Sequence, residues 1–389
     1  PIEHNVIPHT NYNLNNLSRY PLVVLRNLGG GHFECEYTFE REQKYCVVTT
    51  CAKKLLCLNN LYAVDKDLAE LDFYKADLHI HTTGSDGKQP ASEVGVAYRK
   101  ADFDCIAVTD HHFMQPSRDA KALFDPLTDL FYLYVGEEVH NEKMGCFHII
   151  NFDNNRSVNT VIEDEPEYYE NEVQKILAET EFDEGVDKYA CAWRMVAVNE
   201  IKKGGGLAIM AHPYWFAGLE YNMQPADVVW LWKHQIFDAL ELMAGDQENN
   251  DLTMTLWEEM RVDGCKIPVV GVSDSHDVTG NIYKETLFDR HFTMFFPRGF
   301  EGAKDAILDE RSVAVRRLDE KTYFVWGRYR YMKWAKFLLE EYYTPEYIAL
   351  CDAHGKCLEE LIEKGASDNI EKVEKSLLDY KNRFFSYLA

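Results

Sequence analysis

Clusters of histidine and acidic residues recur along the middle of the chain, and most of these clusters follow a short run of apolar residues. The first is Asp77-Leu78-His79-Ile80-His81, and the second is Val108-Thr109-Asp110-His111-His112. Because side chains alternate along a strand with a period of two, His79 and His81 point to the same side. Polar clusters at the ends of successive apolar strands are typical of a barrel whose site lies at the carboxyl ends of its strands.

Apolar runs and helical patterns alternate from Tyr74 to about Leu318, and this alternation indicates parallel βα units with both sheet faces covered. A helix is predicted over Ala91–Lys100, after the first strand. The predicted strands are Ala76–Ile80, Cys105–Thr109, Leu130–Val135, Cys146–Phe152, Gly206–Ala211, Ala239–Met243, Pro268–Val272 and His291–Phe296. The sequence therefore predicts an α/β fold with a barrel over residues 75–320.

Two regions of different character flank the predicted barrel. Residues 1–74 contain β-like runs at Leu22–Leu25, Phe33–Phe39 and Tyr45–Thr50, which predict a β-rich N-terminal segment. Residues 321–389 show aromatic and leucine positions at helical spacing, which predict a C-terminal helical extension. Within the barrel domain, residues 160–203 are acidic and helical in pattern, and we interpret them as an insertion.

Composition restricts the partners and the compartment. The chain has 41 basic and 65 acidic residues, a formal net charge of −24, so we expect no long nucleic acid as a partner. Its apolar stretches are far shorter than the roughly 20 residues that cross a bilayer, and its N-terminus shows no signal-peptide pattern, so we expect no membrane association. Ten scattered cysteines suit reduced thiols in the cytoplasm.

The polar clusters are best explained together by a metal site. The remaining ones are Ser85-Asp86-Gly87, Gly136-Glu137-Glu138, Phe147-His148-Ile149-Ile150, Ala211-His212-Pro213 and Ser273-Asp274-Ser275-His276. Any one of these residues alone is more often a hydrogen-bonded core histidine or a helix cap than a metal ligand. Burying so many imidazoles and carboxylates together without a cation, however, would be costly.

The motifs, in this order, resemble the polymerase-and-histidinol-phosphatase (PHP) superfamily of metal-dependent phosphoesterases. The resemblance covers about Tyr74 to Leu318 and rests on His79-x-His81, Ser85-Asp86-Gly87, Thr109-Asp110-His111, Gly136-x-Glu138, His148, Ala211-His212-Pro213 and Asp274-x-His276. The Ala-His-Pro-Tyr stretch, the insertion and the N-terminal segment are most similar to the branch with CehA-type metallohydrolases. The resemblance implies a distorted (β/α)7 barrel that holds two or three divalent metals.

The resemblance also implies a ligand set for a trinuclear centre. The ligands would be His79, His81, Glu138 and Asp274 for the first metal, Glu138, His148 and His212 for the second, and Asp86, His111 and His276 for the third. Glu137 competes with Glu138, since only one of two neighbouring strand residues can face the site, and the family spacing favours Glu138. Six imidazoles and three carboxylates suit Mn, Fe or Zn better than Mg or Ca.

The activity implied by the resemblance is hydrolysis of a small phosphate ester, either a monoester or a cyclic or nucleotide diester, by a water molecule that a metal activates. His112 is a candidate general acid, with the alternative that it only orients His111. Asp110 is a second catalytic candidate with the same alternative. Candidates for a phosphate clamp are Lys88, Arg118, Arg194 and Lys233.

Two other functions stay open at this point. The CehA-type resemblance suggests a metal-dependent hydrolase of carboxylic or carbamate esters. A non-catalytic module in which metals only hold the fold is the third possibility. Tyr214, Trp215 and Phe216 follow the Ala-His-Pro motif, and they would either stack on a base or aryl leaving group or belong to the core.

Overall fold

The N-terminal segment is β-rich, as predicted. The structure is a computed structural model that describes residues 2–8, 20, 22–24, 26–51, 54–141, 148–217, 220–245, 249–279, 288–319 and 322–386. The segment contains β1 (Ile2–Pro8), β2 (Arg26–Gly29), β3 (His32–Glu34), β4 (Gln43–Cys51), β5 (Lys54–Ala63) and the short helix α1 (Lys66–Ala69). β1, β4 and β5 form an antiparallel sheet, and β2 and β3 form a hairpin.

Two of the three strands predicted in this segment differ from the structure. The run Tyr45–Thr50 lies inside β4, but only Phe33 and Glu34, not the whole run Phe33–Phe39, belong to a named strand. Leu22–Val24 lie outside the named strands, and Leu25 lies outside the described residues. Phe33 and the neighbouring positions of β2 and β3 are exposed, so no buried face extends these strands.

The next region alternates strands and helices. Its strands are β6 (Tyr74–Ile80), β7 (Cys105–Val108), β8 (Tyr132–His140), β9 (His148–Phe152), β10 (Leu207–Met210), β11 (Phe216–Ala217), β12 (Glu220–Tyr221), β13 (Ala239–Ala244) and β14 (Val269–Val272). Its helices are α2 (Ala91–Lys100), α3 (Gln115–Phe124), α4 (Val158–Asp164), α5 (Pro166–Glu179), α6 (Lys188–Lys203), α7 (Pro225–Lys233) and α8 (Asn250–Val262). α4, α5 and α6 occupy the predicted insertion.

Seven of these strands form a nearly closed barrel, which confirms the predicted fold class. Their order is β14-β13-β10-β9-β8-β7-β6. β6, β7 and β8 are parallel, and so are β10, β13 and β14. A parallel bridge joins Ile80 at the end of β6 to Ser275 after β14, and the His81 backbone N–H donates to Ser275 O at 2.9 Å.

One strand of the barrel runs against the others. β9 is antiparallel to both β8 and β10, so the prediction of uniformly parallel units is wrong here. His148 is the first residue of β9. Because the strand is reversed, His148 lies at the same end of the barrel as the polar residues that end the neighbouring strands. Cys146 and Phe147, which the sequence assigned to this strand, lie outside the described residues.

The predicted strand His291–Phe296 is not a further parallel barrel strand. The chain continues with β15 (His291–Phe295), α9 (Ala303–Leu308), β16 (Ser312–Arg317) and β17 (Tyr323–Gly327). β15 runs antiparallel to the first half of β6, and β16 and β17 extend the sheet from it. Thr293 Oγ1 accepts from Gly271 N at 3.1 Å and donates to Gly271 O at 2.8 Å, which ties β15 to β14 across the barrel seam.

A bulge in β6 sets the direction of the first two histidines. β6 has one more residue than β7 between the pairs Asp77–Ile106 and Ile80–Val108. Leu78 packs in the inner cluster, whereas Ile80 packs in the outer layer beneath α2 and α3. The inward side thus changes after Leu78, and both His79 and His81 face the barrel interior.

The C-terminal region is mainly helical, as predicted, and consists of α10 (Tyr329–Glu341), α11 (Pro345–Lys364) and α12 (Ile370–Phe385). β17 lies in the part that the sequence assigned to helix, because its alternation of exposed Phe324 and buried Val325 suits an edge strand. α11 packs on α2, where Arg99 Nε donates to His354 Nδ1 at 2.9 Å. Among the helices of the described residues, none has the length and apolar character that crossing a bilayer requires.

Candidate metal centre

Glu138 lies at the centre of a buried group of histidines. Its Oε2 is 3.1 Å from Nε2 of both His79 and His81 and 3.3 Å from His111 Nδ1. Its Oε1 is 2.6 Å from His148 Nδ1 and 3.2 Å from His212 Nε2. The side chain of Glu138 is 1% exposed. One carboxylate therefore faces imidazoles from the ends of several strands and loops.

Two more carboxylates complete the group. Asp274 Oδ1 lies 3.3 Å from Nε2 of both His79 and His81. Asp86 Oδ2 lies 3.3 Å from His276 Nε2, and Asp86 Oδ1 lies 3.5 Å from His81 Nδ1. The side chain of Asp86 is 56% exposed, so this part of the group opens toward solvent.

The structure brings all nine residues of the implied ligand set to one end of the barrel. Three subsets have donor atoms within 4.8 Å of one another, namely His79 with Glu138 and His212, His79 with His81 and Asp274, and His81 with Asp86, His111 and His276. His79 belongs to the first two subsets, and His81 belongs to the last two. The members of the subsets agree best with the ligands implied for the first and third metals. The centre is thus compact enough for neighbouring ions to share ligands.

The electrostatics of the group are those of a centre that holds cations. Burial opposes ionisation of Glu138, but His148 and His79 outweigh it and hold the pKa of Glu138 well below its usual range. The pKa of Asp274 is lowered in the same way, mainly by His79 against its burial. Burial lowers the pKa of His81, but Asp274 and Glu138 raise it to about 9. The carboxylates of the group therefore favour positive charge at the imidazoles around them.

His111 behaves differently from the other rings. Burial, together with the neighbouring His81 and His148, lowers its pKa to about 3, against the attraction of Glu138. Its ring is therefore neutral at physiological pH, and a neutral imidazole is the form that binds a metal.

Unpartnered atoms test whether a metal fits these residues. Within the described part of the chain, Glu138 Oε2, His111 Nδ1 and His212 Nδ1 are buried polar atoms with no hydrogen-bond partner. Leaving such atoms unpaired costs about 1–3 kcal/mol each. Two of them, Glu138 Oε2 and His111 Nδ1, lie 3.3 Å apart, close enough to be neighbouring ligands of one cation, which would satisfy both. Imidazole and carboxylate donors in this number suit divalent transition metals.

Glu241 is a site residue that the sequence reasoning missed. Its Oε1 lies 2.8 Å from His79 Nδ1, and its Oε2 accepts from the His212 backbone N–H at 3.0 Å. A carboxylate that holds the far nitrogen of a ligating histidine fixes the orientation of its ring. The available signal was a glutamate in the middle of the apolar run Ala239–Met243, where a buried charge needs a partner.

Glu137 and Asp110 both accept hydrogen bonds from residues outside the implied ligand set. Glu137 accepts hydrogen bonds from the Val158 backbone and from the side chains of Asn151, Ser157 and Asn159, so Glu138 is the residue that faces the site. Asp110 accepts from Thr82 N at 2.8 Å, from Thr82 Oγ1 at 2.6 Å and from Ser85 Oγ at 2.6 Å. Asp110 thus anchors the loop that carries Asp86.

The mouth of the site on one side is formed by further histidines. His112 is exposed and has a φ of 64°, a left-handed conformation that is uncommon for residues other than glycine. Its ring centroid lies 6.0 Å from that of His111 and 5.2 Å from that of His140. His140, another residue that sequence reasoning missed, ends β8, and its Nδ1 lies 2.8 Å from His148 Nε2.

The aromatic residues after His212 divide into two kinds. Tyr214 is buried, with its ring centroid 5.6 Å from that of Tyr221, so it belongs to the core. The Trp215 centroid lies 5.6 Å from those of both His148 and His212, and Phe216 is exposed. Trp215 and Phe216 therefore border the site on the side of the β11–β12 hairpin.

The four candidate phosphate clamps also differ. Lys88 Nζ donates to Asp86 O at 3.3 Å, beside the open part of the centre. Arg118 donates to Asn155 O at 2.7 Å. Arg194 pairs with Asp227 at 3.3 Å, and both are buried. Lys233 is exposed in the last turn of α7. Lys88 is the candidate with a direct contact to a residue of the centre.

The fold and the site together define an α/β barrel protein with a candidate polynuclear metal centre. No family model matches the chain, and no curated protein matches it. A solved two-domain protein of Bacteroides vulgatus, described as containing a PHP-like metal-dependent phosphoesterase, is 18% identical, with 65% of this chain and 66% of that chain aligned and a TM-score of 0.42.

Two other solved structures show similarity at a comparable level. A protein of Bifidobacterium adolescentis described as a metal-dependent phosphoesterase is 15% identical, with 52% of this chain and 87% of that chain aligned and a TM-score of 0.38. An amidohydrolase of Chromobacterium violaceum with bound sulfate and no metal is 17% identical, with the same shares aligned and a TM-score of 0.35. Likeness this distant adds no weight to the assignment of the site.

Proposed function

We propose that this protein is a metal-dependent hydrolase of small phosphate esters, either phosphomonoesters or cyclic or nucleotide phosphodiesters. The observation that carries the proposal is the position of Glu138, whose two oxygens lie within 3.3 Å of ring nitrogens of five histidines. The order of the motifs supports a PHP-type enzyme, and the Ala-His-Pro-Tyr stretch, the insertion and the N-terminal segment support the CehA-like branch.

Two or three divalent ions of Mn, Fe or Zn would be held by the nine residues implied by the resemblance. When bound, such ions lower the pKa of water toward neutrality and supply positive charge for an anionic substrate. Glu138 would bridge ions because its two oxygens face different histidines. Glu241 would keep His79 in place, and Asp110 would keep the Asp86 loop in place.

Charge supports a small anionic substrate. The protein as a whole carries −24, so a long polyanion is repelled, whereas a short ester can enter a local positive site. Lys88 would add a cation beside Asp86 and bind a non-bridging phosphate oxygen. The proposal places the enzyme in the cytoplasm and gives it no nucleic-acid polymer or membrane as a partner.

His112 would donate the proton to the leaving group. It is exposed at the mouth, and its strained backbone holds the ring beside His111. Trp215 and Phe216 would contact a planar leaving group, since Trp215 lies beside His148 and His212 with part of its surface open to solvent.

The test is hydrolysis by the Mn²⁺-loaded protein of an aryl phosphomonoester, an aryl phosphodiester and an aryl carboxylate ester. Turnover of a phosphate ester that is lost in Asp274→Ala, but kept in the matched control Asp227→Asn away from the centre, is the expected result. Turnover of only the carboxylate ester would replace the proposal with the esterase alternative. Full metal content without any turnover would favour a non-catalytic metal-binding module.

A further inference from the structure

We propose that His140 is a positioning residue that holds the His148 ring so that His148 Nδ1 faces Glu138. The role rests on the metal centre of the proposed function, but it concerns a residue outside the motifs of the PHP resemblance. His140 would not bind the metal itself. It would decide which nitrogen of His148 is available for metal binding.

The first step is the orientation of His148. Its Nδ1 lies 2.6 Å from Glu138 Oε1 and 3.3 Å from His212 Nε2, so this nitrogen faces the centre. Its Nε2 lies 2.8 Å from His140 Nδ1, a normal hydrogen-bond distance. A neutral imidazole has one N–H and one lone pair. If the lone pair of Nδ1 binds a metal, Nε2–H must donate, and His140 Nδ1 is the acceptor in reach.

The second step is the rigid placement of His140. It ends β8 and is the direct cross-strand partner of His148 in the antiparallel β8–β9 pair. Its backbone N–H donates to Asn159 Oδ1 at 3.1 Å, and Asn159 Nδ2 donates to Glu138 O at 3.0 Å. One asparagine of α4 therefore fixes His140 relative to Glu138, and His140 in turn fixes His148.

The third step excludes the obvious alternative, a metal position made of His111, His140 and His148. Their ring nitrogens do lie within 4.8 Å of one another. If such a position used the lone pair of His148 Nε2, Nδ1 would carry the proton and could not bind a metal, since a neutral ring has one lone pair. The geometry favours Nδ1 as the metal-binding atom, because Nδ1 lies beside Glu138 Oε1 and His212 Nε2, two members of the implied ligand set, whereas Nε2 faces His140.

The experiment compares His140→Leu with His140→Asn. The leucine removes the acceptor, whereas the asparagine carbonyl can take the place of Nδ1. Metal-free protein is titrated with Zn²⁺ and with Co²⁺, and both the dissociation constants and the Co²⁺ absorption spectrum are recorded. We expect His140→Leu to weaken one of the bound ions by about 10–100-fold and to change the spectrum, and His140→Asn to restore both. His234→Leu, at the end of α7, is the matched control.

The outcomes separate this role from the proposed function. Equal affinities and spectra for wild type and His140→Leu would overturn the positioning role and leave the metal centre in place. Loss of one imidazole ligand by X-ray absorption in both His140 variants would show instead that His140 is a ligand. A wild-type protein that binds no divalent metal would overturn the metal centre, and the positioning role with it. Circular dichroism of each variant shows that the comparison is between folded proteins.

Discussion

Glu241→Gln tests whether a residue that orients the metal-ligand candidate His79, without being a ligand itself, affects metal affinity. The carboxylate of Glu241 accepts from His79 Nδ1 at 2.8 Å and from His212 N at 3.0 Å. Glutamine has almost the same shape, but one of its two acceptor atoms becomes a donor. One of the two N–H groups then faces an NH₂ group in a fully buried place.

The size of the effect follows from these contacts. Burial lowers the pKa of His79, while Glu138 and then Glu241 raise it, so the field of Glu241 favours a cation at His79. A divalent ion carries twice the charge of a proton, so loss of this field weakens metal binding more than it weakens protonation. Substitution of such outer carboxylates costs about 10–100-fold in metal affinity, or about 1.4–2.7 kcal/mol.

The assay is calorimetric titration of metal-free protein with Mn²⁺ or Zn²⁺ at fixed pH, with metal content checked after dialysis. The matched control is Glu200→Gln, a buried glutamate of α6 that pairs with Arg156 and Lys203. It should lose stability but not metal affinity. A dissociation constant within twofold of wild type for Glu241→Gln would refute the idea that this carboxylate orients His79.

Three other outcomes are expected. Burial and Arg99 lower the pKa of His354 in the folded protein to about 3, whereas in the unfolded chain it is about 6.5. Below about pH 6.5 the unfolded chain therefore takes up a proton that the folded protein does not. The contribution of His354 to stability is full above that pH and falls by about 2 kcal/mol from pH 7 to pH 5. Because His111 contributes in the same direction in both proteins, urea unfolding should show a loss between the two pH values that is about 2 kcal/mol larger in wild type than in His354→Asn. Asp110→Asn should lower the free energy of unfolding by about 1–3 kcal/mol, because it weakens the bonds to Thr82. It should leave the shape of the pH–rate profile unchanged, and a lost limb would mean that Asp110 transfers a proton. Trp215→Leu should raise KM for aryl phosphates about fivefold or more, with alkyl phosphates and metal content unaffected.

Much of the fold was predictable because the barrel strands are short, apolar and buried on both faces. Elements with one exposed face were harder. β5 has exposed positions along most of its length, and β17 alternates at the edge of the sheet, so neither stands out from its surroundings in the sequence. β8 runs to His140, beyond the predicted end at Val135, because its second half pairs with β9 and not with β7.

The candidate site was predictable as far as the residues follow strand ends. His140 and Glu241 fall outside that rule. His140 belongs to a part of β8 that the sequence did not predict as strand, and Glu241 lies within an apolar run where its partners come from distant strands. The bulge in β6 could not be predicted from the sequence either, because a one-residue shift in pairing depends on the neighbouring strand and not on β6 itself.

The direction of β9 can be inferred from where the ligand candidate His148 lies in its apolar run. His148 begins the run His148–Phe152, whereas His212 follows β10. In a parallel β9, four steps of about 3.3 Å would place His148 roughly 13 Å away, at the opposite mouth of the barrel. A metal centre that requires all the imidazoles together therefore requires this strand to be reversed. The position of a ligand within its apolar run, and not only its order in the chain, predicts the direction of the strand.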